Sequence, residues 1–334
     1  MIDLTIVIAS YETCALLDAC LASLVRARAT HPDLAVETIV VDNGSLDRSP
    51  AMVRDSYPDV RLIALARNCG FAAAVNRGLR ARRGRHVLLL NSDVEIDADL
   101  LARGVGLLDA KPGAGVLGAG LRHQNGGAQR SVHAFPGWQT ELVPGCLLRW
   151  VRPRGFPRRG DVQRDGSAPD SSPREVEAVR GAVFFIRGEL LEKLGLLDES
   201  YFFFLEETDY CWRVAEAGHR VLHVAGLGAS HRLGASSKRR VPLATRIEFH
   251  RSLYRFLERR RGRAVVRVAR VVRSLRSAAG LLVGLPMALA GAPHRRRLAE
   301  RWGLLLWHLR GCSDEPRLAT ELRLDVERDA AVDC

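Results

Sequence analysis

The sequence predicts an α/β protein: a mostly parallel β-sheet flanked by helices, with a helical extension at the C-terminus. Three observations carry that prediction. Short β-branched apolar runs alternate with segments of helical period through the N-terminal part. One of these runs, Val87–Leu90, is apolar throughout, as expected of a strand covered on both faces. Polar residues gather where the runs end, at Ser10-Tyr11-Glu12, Asp42-Asn43, Arg67-Asn68 and Asn91-Ser92-Asp93. In open parallel sheets these carboxyl ends are where ligands bind.

In chain order, Leu4–Ala9 is the first strand. Ala15–Arg28 follows as a helix with Leu17, Leu21, Leu24 and Val25 on one face. Glu37–Val41 is the second strand and stops at the turn signal Asp42-Asn43-Gly44-Ser45, after which Asp47 suits a helix N-cap. Arg61–Ala66 is the third strand, followed by the Ala-rich helical stretch Ala72–Arg83, and Val87–Leu90 is the fourth. Arg152–Arg174, rich in Pro, Gly, Arg and Ser, reads as a mobile loop. Beyond it come a strand over Val176–Ile186, a short helix over Glu189–Leu194, and a helix over Glu207–Ala217 closed by Gly218. Arg220–Val224 is a further strand, with His231 beyond it, and helical patterns dominate from Arg246 onward.

Composition narrows the function classes. With 334 residues, 47% hydrophobic and 26% charged, the chain is of globular and not disordered type. Its net charge of +12 implies an anionic partner. Much of that charge follows Lys238, in Arg259-Arg260-Arg261, Arg263, Arg267, Arg270, Arg273, Arg276 and Arg295-Arg296-Arg297. Seven scattered cysteines without a CxxC pair argue against a disulfide framework or zinc cluster and for a reducing cytosol. No secretory signal is expected, because a strand-like run starts the chain without a basic segment ahead of an apolar one. The longest apolar stretch, Ala278 to Ala292, contains Gly280, Gly284, Pro286 and Gly291 and falls short of the roughly 20 residues that span a bilayer.

Four positions carry candidate chemistry. Asp42, directly after the second strand, can accept hydrogen bonds from a nucleobase N–H or a ribose hydroxyl; alone, it is equally an Asx-turn residue. Asp93, after the buried strand, offers the oxygen that Mg2+ or Mn2+ prefers, with phosphate and water completing the shell. Glu206-Glu207-Thr208-Asp209 follows the aromatic run Tyr201-Phe202-Phe203-Phe204, a setting that raises carboxyl pKa values towards general-base duty. Asp209 is also placed to pair with Arg213 at i, i+4. His231, in Gly228-Ala229-Ser230-His231, can complete a metal site or hydrogen-bond a phosphate.

Taken together, these segments resemble the family 2 inverting glycosyltransferases of the GT-A fold, in particular their rhamnosyltransferase-like branch. The matching segments are Thr5–Tyr11, Val40–Asp47, Arg67–Phe71 with Asn76-Arg77-Gly78, Leu88–Asp93, Gly181-Ala182, Gly195–Glu199, Glu206–Asp209 with Arg213, His231 and His250-Arg251-Ser252, covering Leu4 to Gly262. The resemblance implies a nucleotide-sugar-binding GT-A half over residues 1–130 and an acceptor-binding half over 131–240, with a basic helical extension over 241–334. It implies nucleotide-sugar contacts at Ser10, Tyr11, Glu12, Asp42, Asn68, Gly70, Asn76 and Ser92. It also implies a divalent metal, Mg2+ or Mn2+, at Asp93 and His231, and a catalytic base at Glu207 with Asp209 as the rival. Three positions depart from the family pattern: Asn91 replaces the first acid of the DxD-like motif, Glu12 replaces a common Asn, and Glu207 replaces Asp.

The implied reaction moves a sugar such as rhamnose from a dTDP, UDP or GDP donor to a glycan or lipid-linked acceptor in cell-envelope polysaccharide synthesis. The competing readings have distinct signatures. A nucleotidyltransferase needs a glycine-rich basic phosphate loop after its first strand, and Ser10-Tyr11-Glu12-Thr13 is not one. A basic nucleic-acid- or membrane-binding protein on a catalytically inactive scaffold accounts for +12 without an enzyme. Nucleic acid calls for basic side chains interleaved with aromatics, whereas here arginines are interleaved with Val and Leu, so nucleic acid is not the expected partner. Val268, Val271, Val272 and Leu275 fall on one side of a helix and Arg263, Arg267 and Arg270 on the other. That pattern suits a helix lying on anionic lipid at the cytosolic face of the plasma membrane, or equally a helix packed on protein with a solvated basic face.

Overall fold

The computed structural model describes residues 1–156, 172–232, 241–285, 292–313 and 317–332. Part of the loop read over Arg152–Arg174, and the end of the apolar stretch from Pro286 to Gly291, lie outside the described residues. The chain divides into two compact units. The first comprises Met1–Phe135, Arg149–Phe202 and Glu206–Leu233; the second comprises Pro136–Leu148, Phe203–Leu205 and Gly234–Cys334.

The first unit opens with β1 (Leu4–Ser10), α1 (Cys14–Thr30), β2 (Val36–Asp42), α2 (Ser49–Ser56), β3 (Arg61–Ala64), α3 (Phe71–Arg80) and β4 (His86–Leu90). β1 pairs in parallel with both β2 and β4, and β2 with β3. Every residue of β4 is buried, which is why it carries no polar side chain between its ends. In α1 the buried stripe is Leu17, Cys20, Leu21, Leu24 and Ala27; Val25, expected on that face, is exposed because it lies a further 100° round the helix from Leu24.

The chain then runs through β5 (Val94–Ile96), α4 (Leu100–Ala110), β6 (Ala114–Arg122), β7 (Val132–His133), α5 (Trp138–Leu142), α6 (Gly145–Val151), β8 (Arg174–Val176), β9 (Ala178–Val179), β10 (Val183–Arg187), α7 (Glu189–Leu194), α8 (Glu206–Glu216) and β11 (Arg220–His231). Among the described residues the main sheet has the order β3-β2-β1-β4-β10-β6-β11-β5, with β8 also on β11. β10 enters antiparallel between β4 and β6, while β6 and β11 run parallel.

Two strand assignments from sequence need correction. The strand read over Val176–Ile186 is three short ones, because β8 pairs with β11, β9 with β7, and β10 with β4 and β6. The strand read over Arg220–Val224 continues to His231. A register shift against β6 between Val224 and Gly228 interrupts its period-two pattern and hides the continuation.

The second unit holds α9 (Pro242–Arg261), α10 (Arg263–Gly284), α11 (Ala292–Leu309) and α12 (Leu318–Val332), together with α5. On α10 the buried positions are Val266, Ala269 and Ser277, whereas Val271, Leu275, Leu282 and Val283 are 58%, 64%, 75% and 71% exposed. Arg273 instead faces protein, donating to both carboxylate oxygens of Glu141 at 2.8 and 2.9 Å, and the Arg270 guanidinium lies 5.3 Å from the Tyr254 ring. Val271 and Leu275, two of the four apolar residues expected to share a face, therefore point to solvent, while Val266 and Ala269 supply the packed face.

Candidate functional site

The carboxyl ends of β1, β2 and β4 form the floor of the site. The hydroxyls of Ser10 and Thr13 lie 2.9 Å apart, and Thr13 donates onward to Ser92 Oγ at 3.1 Å, tying the ends of β1 and β4 together. Asp42, the last residue of β2, accepts from the Ser45 amide at 3.0 Å through Oδ2. Its Oδ1 is buried without a hydrogen-bond partner, and burial pushes the carboxyl pKa above its ordinary value. Such an oxygen is costly to leave unpaired, so an N–H or O–H from a ligand would relieve the cost.

The loop beside Asp42 is held by amides. Asn43 Nδ2 donates to Asn68 Oδ1 (3.0 Å) and to the Gly70 carbonyl (3.2 Å), while its Oδ1 accepts from the Cys69 amide (2.9 Å). Gly70 has φ +93°, and a Cβ there would lie 2.7 Å from the Phe202 carbonyl oxygen, so only glycine fits. Glu12 uses its carboxylate to accept from the Leu46 amide, and its own amide donates to Ser45 Oγ at 3.0 Å. Asp47 caps α1 from across the chain: Oδ2 accepts from the Cys14 amide at 3.0 Å while Oδ1 takes the Ser49 amide at 2.9 Å.

Asp93 and His231 meet because β5 returns antiparallel along the end of β11, with His231 opposite Val94. His231 Nε2 lies 3.3 Å from Asp93 Oδ1, and both side chains are mostly buried. On the other edge of the ring, His231 Nδ1 lies 3.0 Å from Gln129 Oε1, and Gln129 Nε2 donates to the His231 carbonyl. The amide oxygen can only accept, so Nδ1 carries a hydrogen, which leaves Nε2 as the ring nitrogen available to a cation beside Asp93. A carboxylate oxygen and an imidazole nitrogen so arranged fit a divalent cation of Mg2+ or Mn2+ type. Among the described residues no group of three or more His, Cys, Asp or Glu is placed to hold a metal, so other positions would fall to phosphate oxygens and water.

We expect Gln129→Leu, which removes this restraint, to weaken Mn2+ binding about 10- to 100-fold, as losses of supporting ligand contacts do. Titration followed by electron paramagnetic resonance measures it, and unchanged affinity would refute the tautomer argument.

Glu207 lies in the first turn of α8, after Phe204 and Leu205, whose φ angles of +73° and +68° are uncommon for non-glycine residues. Burial raises its pKa, opposed by backbone N–H groups, the Thr208 hydroxyl and the charge of Arg180. A Cβ built on Gly181 would lie 3.5 Å from Glu207 Cβ, so β10's approach brings the Arg180-Gly181 backbone against the base. Thr208 Oγ1 lies 3.4 Å from Glu207 Oε1 and 2.8 Å from His133 Nε2. Burial, reinforced by Arg180 and Arg130, holds the His133 pKa down to about 3, so that ring is neutral. Asp209 is buried and bonds Arg213 Nε at 3.1 Å, while Arg213 also donates to the carbonyls of Leu194 (2.7 Å) and Leu196 (2.8 Å). Phe203 and Phe204, expected as the apolar surroundings of Glu207, pack on each other at 4.3 Å, and Phe204 on Phe249 at 5.8 Å.

Of the residues singled out by sequence, Ser10, Tyr11, Glu12, Asp42, Ser92 and Asp93 stand at or next to the strand ends, Asn68 and Gly70 are bonded to Asn43 beside Asp42, and His231 joins Asp93. Asn76 does not belong with them. It is fully buried in α3, donates to the Leu197 carbonyl (2.8 Å) and Glu199 Oε1 (2.9 Å), and accepts from the Leu197 amide (3.1 Å). Its amide anchors the Leu197–Glu199 segment, and both of its N–H groups are taken up there. Sequence reading missed Gln129, Arg130, His133 and Arg180, which lie outside every motif and reach the site only through the β7–β9 pairing and the bulged β11. Arg180 alone gave a signal, by preceding the Gly181-Ala182 pair.

Comparison with known proteins agrees with this architecture. Residues 5–181 match the profile described as Glycosyl transferase family 2. The chain is similar to an N-acetylglucosaminyl-diphospho-decaprenol L-rhamnosyltransferase of Mycobacterium tuberculosis, 30% identical over an alignment of 242 residues, with 66% of this chain and 74% of that protein covered. In fold it is similar to the mannosyltransferase PcManGT of Pyrobaculum calidifontis, solved with GDP-Man and Mn2+, at 18% identity and a TM-score of 0.57 over 93% of this chain and 87% of that one. It is also similar to GalNAc-T7, solved with UDP, GalNAc and Mn2+, at 16% identity and a TM-score of 0.55 over 77% of this chain and 48% of that one. With its GT-A sheet, and with the family profile spanning more than half of its length, the chain is a glycosyltransferase and belongs to glycosyl transferase family 2.

Proposed function

We propose that this protein transfers a deoxysugar such as rhamnose from a dTDP, UDP or GDP donor to a hydroxyl of a lipid-linked glycan acceptor. The transfer is a single displacement with inversion, in cell-envelope polysaccharide synthesis at the cytosolic face of a membrane. The observation that carries the reading is the buried, partnerless Asp42 Oδ1 on the same strand-end floor as the Asp93–His231 pair. The 30% identity to a rhamnosyltransferase of lipid-diphosphate-linked N-acetylglucosamine supports the choice of sugar and acceptor.

In this reading residues 1–130 bind the donor, 131–240 the acceptor, and 241–334 form a basic extension. Asp42 Oδ1 accepts from the nucleobase, and the Ser10 and Ser92 hydroxyls stand beside the ribose and phosphates. Asp93 Oδ1 and His231 Nε2 hold Mg2+ or Mn2+. That cation, when bound, offsets the charge that builds on the leaving diphosphate. Glu207 takes the proton from the attacking acceptor hydroxyl on the opposite side, so no protein nucleophile is required.

Transfer assays with dTDP-, UDP- and GDP-sugars onto a short-chain polyprenyl-diphosphate N-acetylglucosamine test the proposal. We expect one donor class to be used and the new bond to have the inverted anomeric configuration by NMR. A retained configuration would overturn the single displacement, and transfer only to lipid-free sugars would overturn the acceptor class.

The membrane part of the proposal rests on α10 and α11. No helix among the described residues is long and apolar enough to cross a membrane. Val271, Leu275, Leu282 and Val283 are nevertheless exposed on a helix that also exposes Arg263 and Arg267, and Arg295, Arg296 and Arg297 are exposed on α11. Apolar side chains for the acyl boundary beside arginines for anionic headgroups describe an interfacial helix. Each arginine near such a surface contributes on the order of 1 kcal/mol, so several give salt-sensitive attachment. The protein should sediment with phosphatidylglycerol vesicles at low salt and release at high salt. Equal partition onto neutral vesicles would refute the electrostatic part.

A further inference from the structure

Two arginines beside Glu207 have no role in the chemistry above. β7 and β9 pair through Val132–Val179 and His133–Ala178, and the ladder continues as the Arg180 amide donates to the Ser131 carbonyl at 3.0 Å. This places Arg130 and Arg180 at the same end of one small ribbon. Arg180 is half-buried, and among the described residues its side chain forms no hydrogen bond and no ion pair within 4.0 Å. Arg130 donates from Nε to the Val132 carbonyl at 3.0 Å, and its guanidinium lies 5.4 Å from the Phe156 ring centre, with no carboxylate in hydrogen-bond reach among the described residues. The chain neighbours of the pair fix its location. Gly181 packs on Glu207, and Gln129 holds His231, so the chain neighbours of the two arginines touch the base on one side and the Asp93–His231 pair on the other.

A partly buried guanidinium without a carboxylate partner is an unfavourable arrangement in a folded protein. Burial disfavours the charged form of half-buried Arg180, and the more exposed Arg130 sets a like charge beside it. The opposing charge that acts on Arg180 is that of Glu207, which the transfer reaction needs unpaired. Two forked donors with spare N–H groups match the geometry of phosphate oxygens, which accept from guanidinium in pairs.

We propose that Arg180 and Arg130 form a phosphate-binding subsite for a substrate diphosphate, next to the base. The proposal rests on the assignment of Glu207 to the acceptor side, which favours the diphosphate that links an acceptor sugar to its lipid; the alternative source is the donor's diphosphate.

The test is calorimetric titration of inorganic pyrophosphate into the full-length protein with chelator present, so that metal-bound diphosphate does not contribute. Wild type should bind, with affinity falling as salt rises. Arg180→Gln and Arg130→Gln should each lose about tenfold or more, the effect of removing a charged hydrogen-bonding group. Arg180→Lys, which keeps the charge but not the fork, should fall between. Melting curves confirm that each variant is folded.

Pyrophosphate affinity equal to wild type in folded Arg180→Gln, or no binding by wild type, overturns the subsite. Steady-state kinetics then separate the sources. A raised KM for a polyprenyl-diphosphate acceptor with an unchanged donor KM assigns the subsite to the acceptor, and the reverse assigns it to the donor. If wild type binds pyrophosphate through these arginines yet transfers no sugar to any lipid-diphosphate acceptor, the subsite stands and the acceptor assignment falls.

Discussion

Glu207→Gln should lower kcat by about 10²–10⁴-fold, the usual cost of removing a positioned general base, while leaving nucleotide affinity nearly unchanged. The amide keeps the size of the side chain and the acceptor oxygen for the Thr208 hydroxyl, so the first turn of α8 should stay in place. What is lost is the ability to take a proton. The pH profile gives an independent check. A base works only when deprotonated, and burial raises the Glu207 pKa. The acid limb of kcat should therefore fall off at a pH above the ordinary glutamate value of about 4.3, and the limb should vanish in the Gln variant. Asp209→Asn separates the two candidates. Because Asp209 is tied to Arg213 and Arg213 to the carbonyls before α8, its loss should register mainly in the melting temperature. A collapse of kcat in Asp209→Asn with an active Glu207→Gln would reverse the assignment.

Asp93→Ala should abolish measurable turnover in a protein that remains folded. The variant removes one of the two protein donors that face each other at 3.3 Å, and with it the means to hold a cation against a diphosphate. The backbone bond from the Arg232 amide to the Asp93 carbonyl, at 3.0 Å, does not depend on the side chain, so the junction of β4, β5 and β11 should survive. A single side-chain contact of this kind contributes about 1 kcal/mol, which corresponds to a melting shift of only a few degrees. Nucleoside-diphosphate affinity should lose its dependence on Mn2+, and wild type with chelator should behave like the variant. Full turnover by Asp93→Ala, or by chelated wild type, would remove the cation from the mechanism.

The parts of this site that were legible in the sequence are those set by one segment at a time. Asp42 and Asp93 could be located because each directly follows an apolar strand, and the end of a strand is defined by its own residues. Glu207 was legible in the same way, as an acid at the start of a helix. The strand boundaries of β1, β2 and β4 followed from their apolar runs to within a residue or two. Asn76 shows the limit: it lies in a recognisable motif, but its side chain is bonded to Leu197 and Glu199 from a distant segment.

By itself, then, the sequence determined the α/β class, the order of the early strands, and which carboxylates stand at their ends, because hydrophobic period and turn residues are local properties. The tertiary structure alone decided how those groups are completed. Gln129 orients His231, Arg180 comes to lie beside Glu207, and Val271 and Leu275 on α10 face solvent instead of a core. Each of these depends on strand register or helix packing between segments remote in the chain. Register follows from which faces must be buried together, and no single segment carries that information.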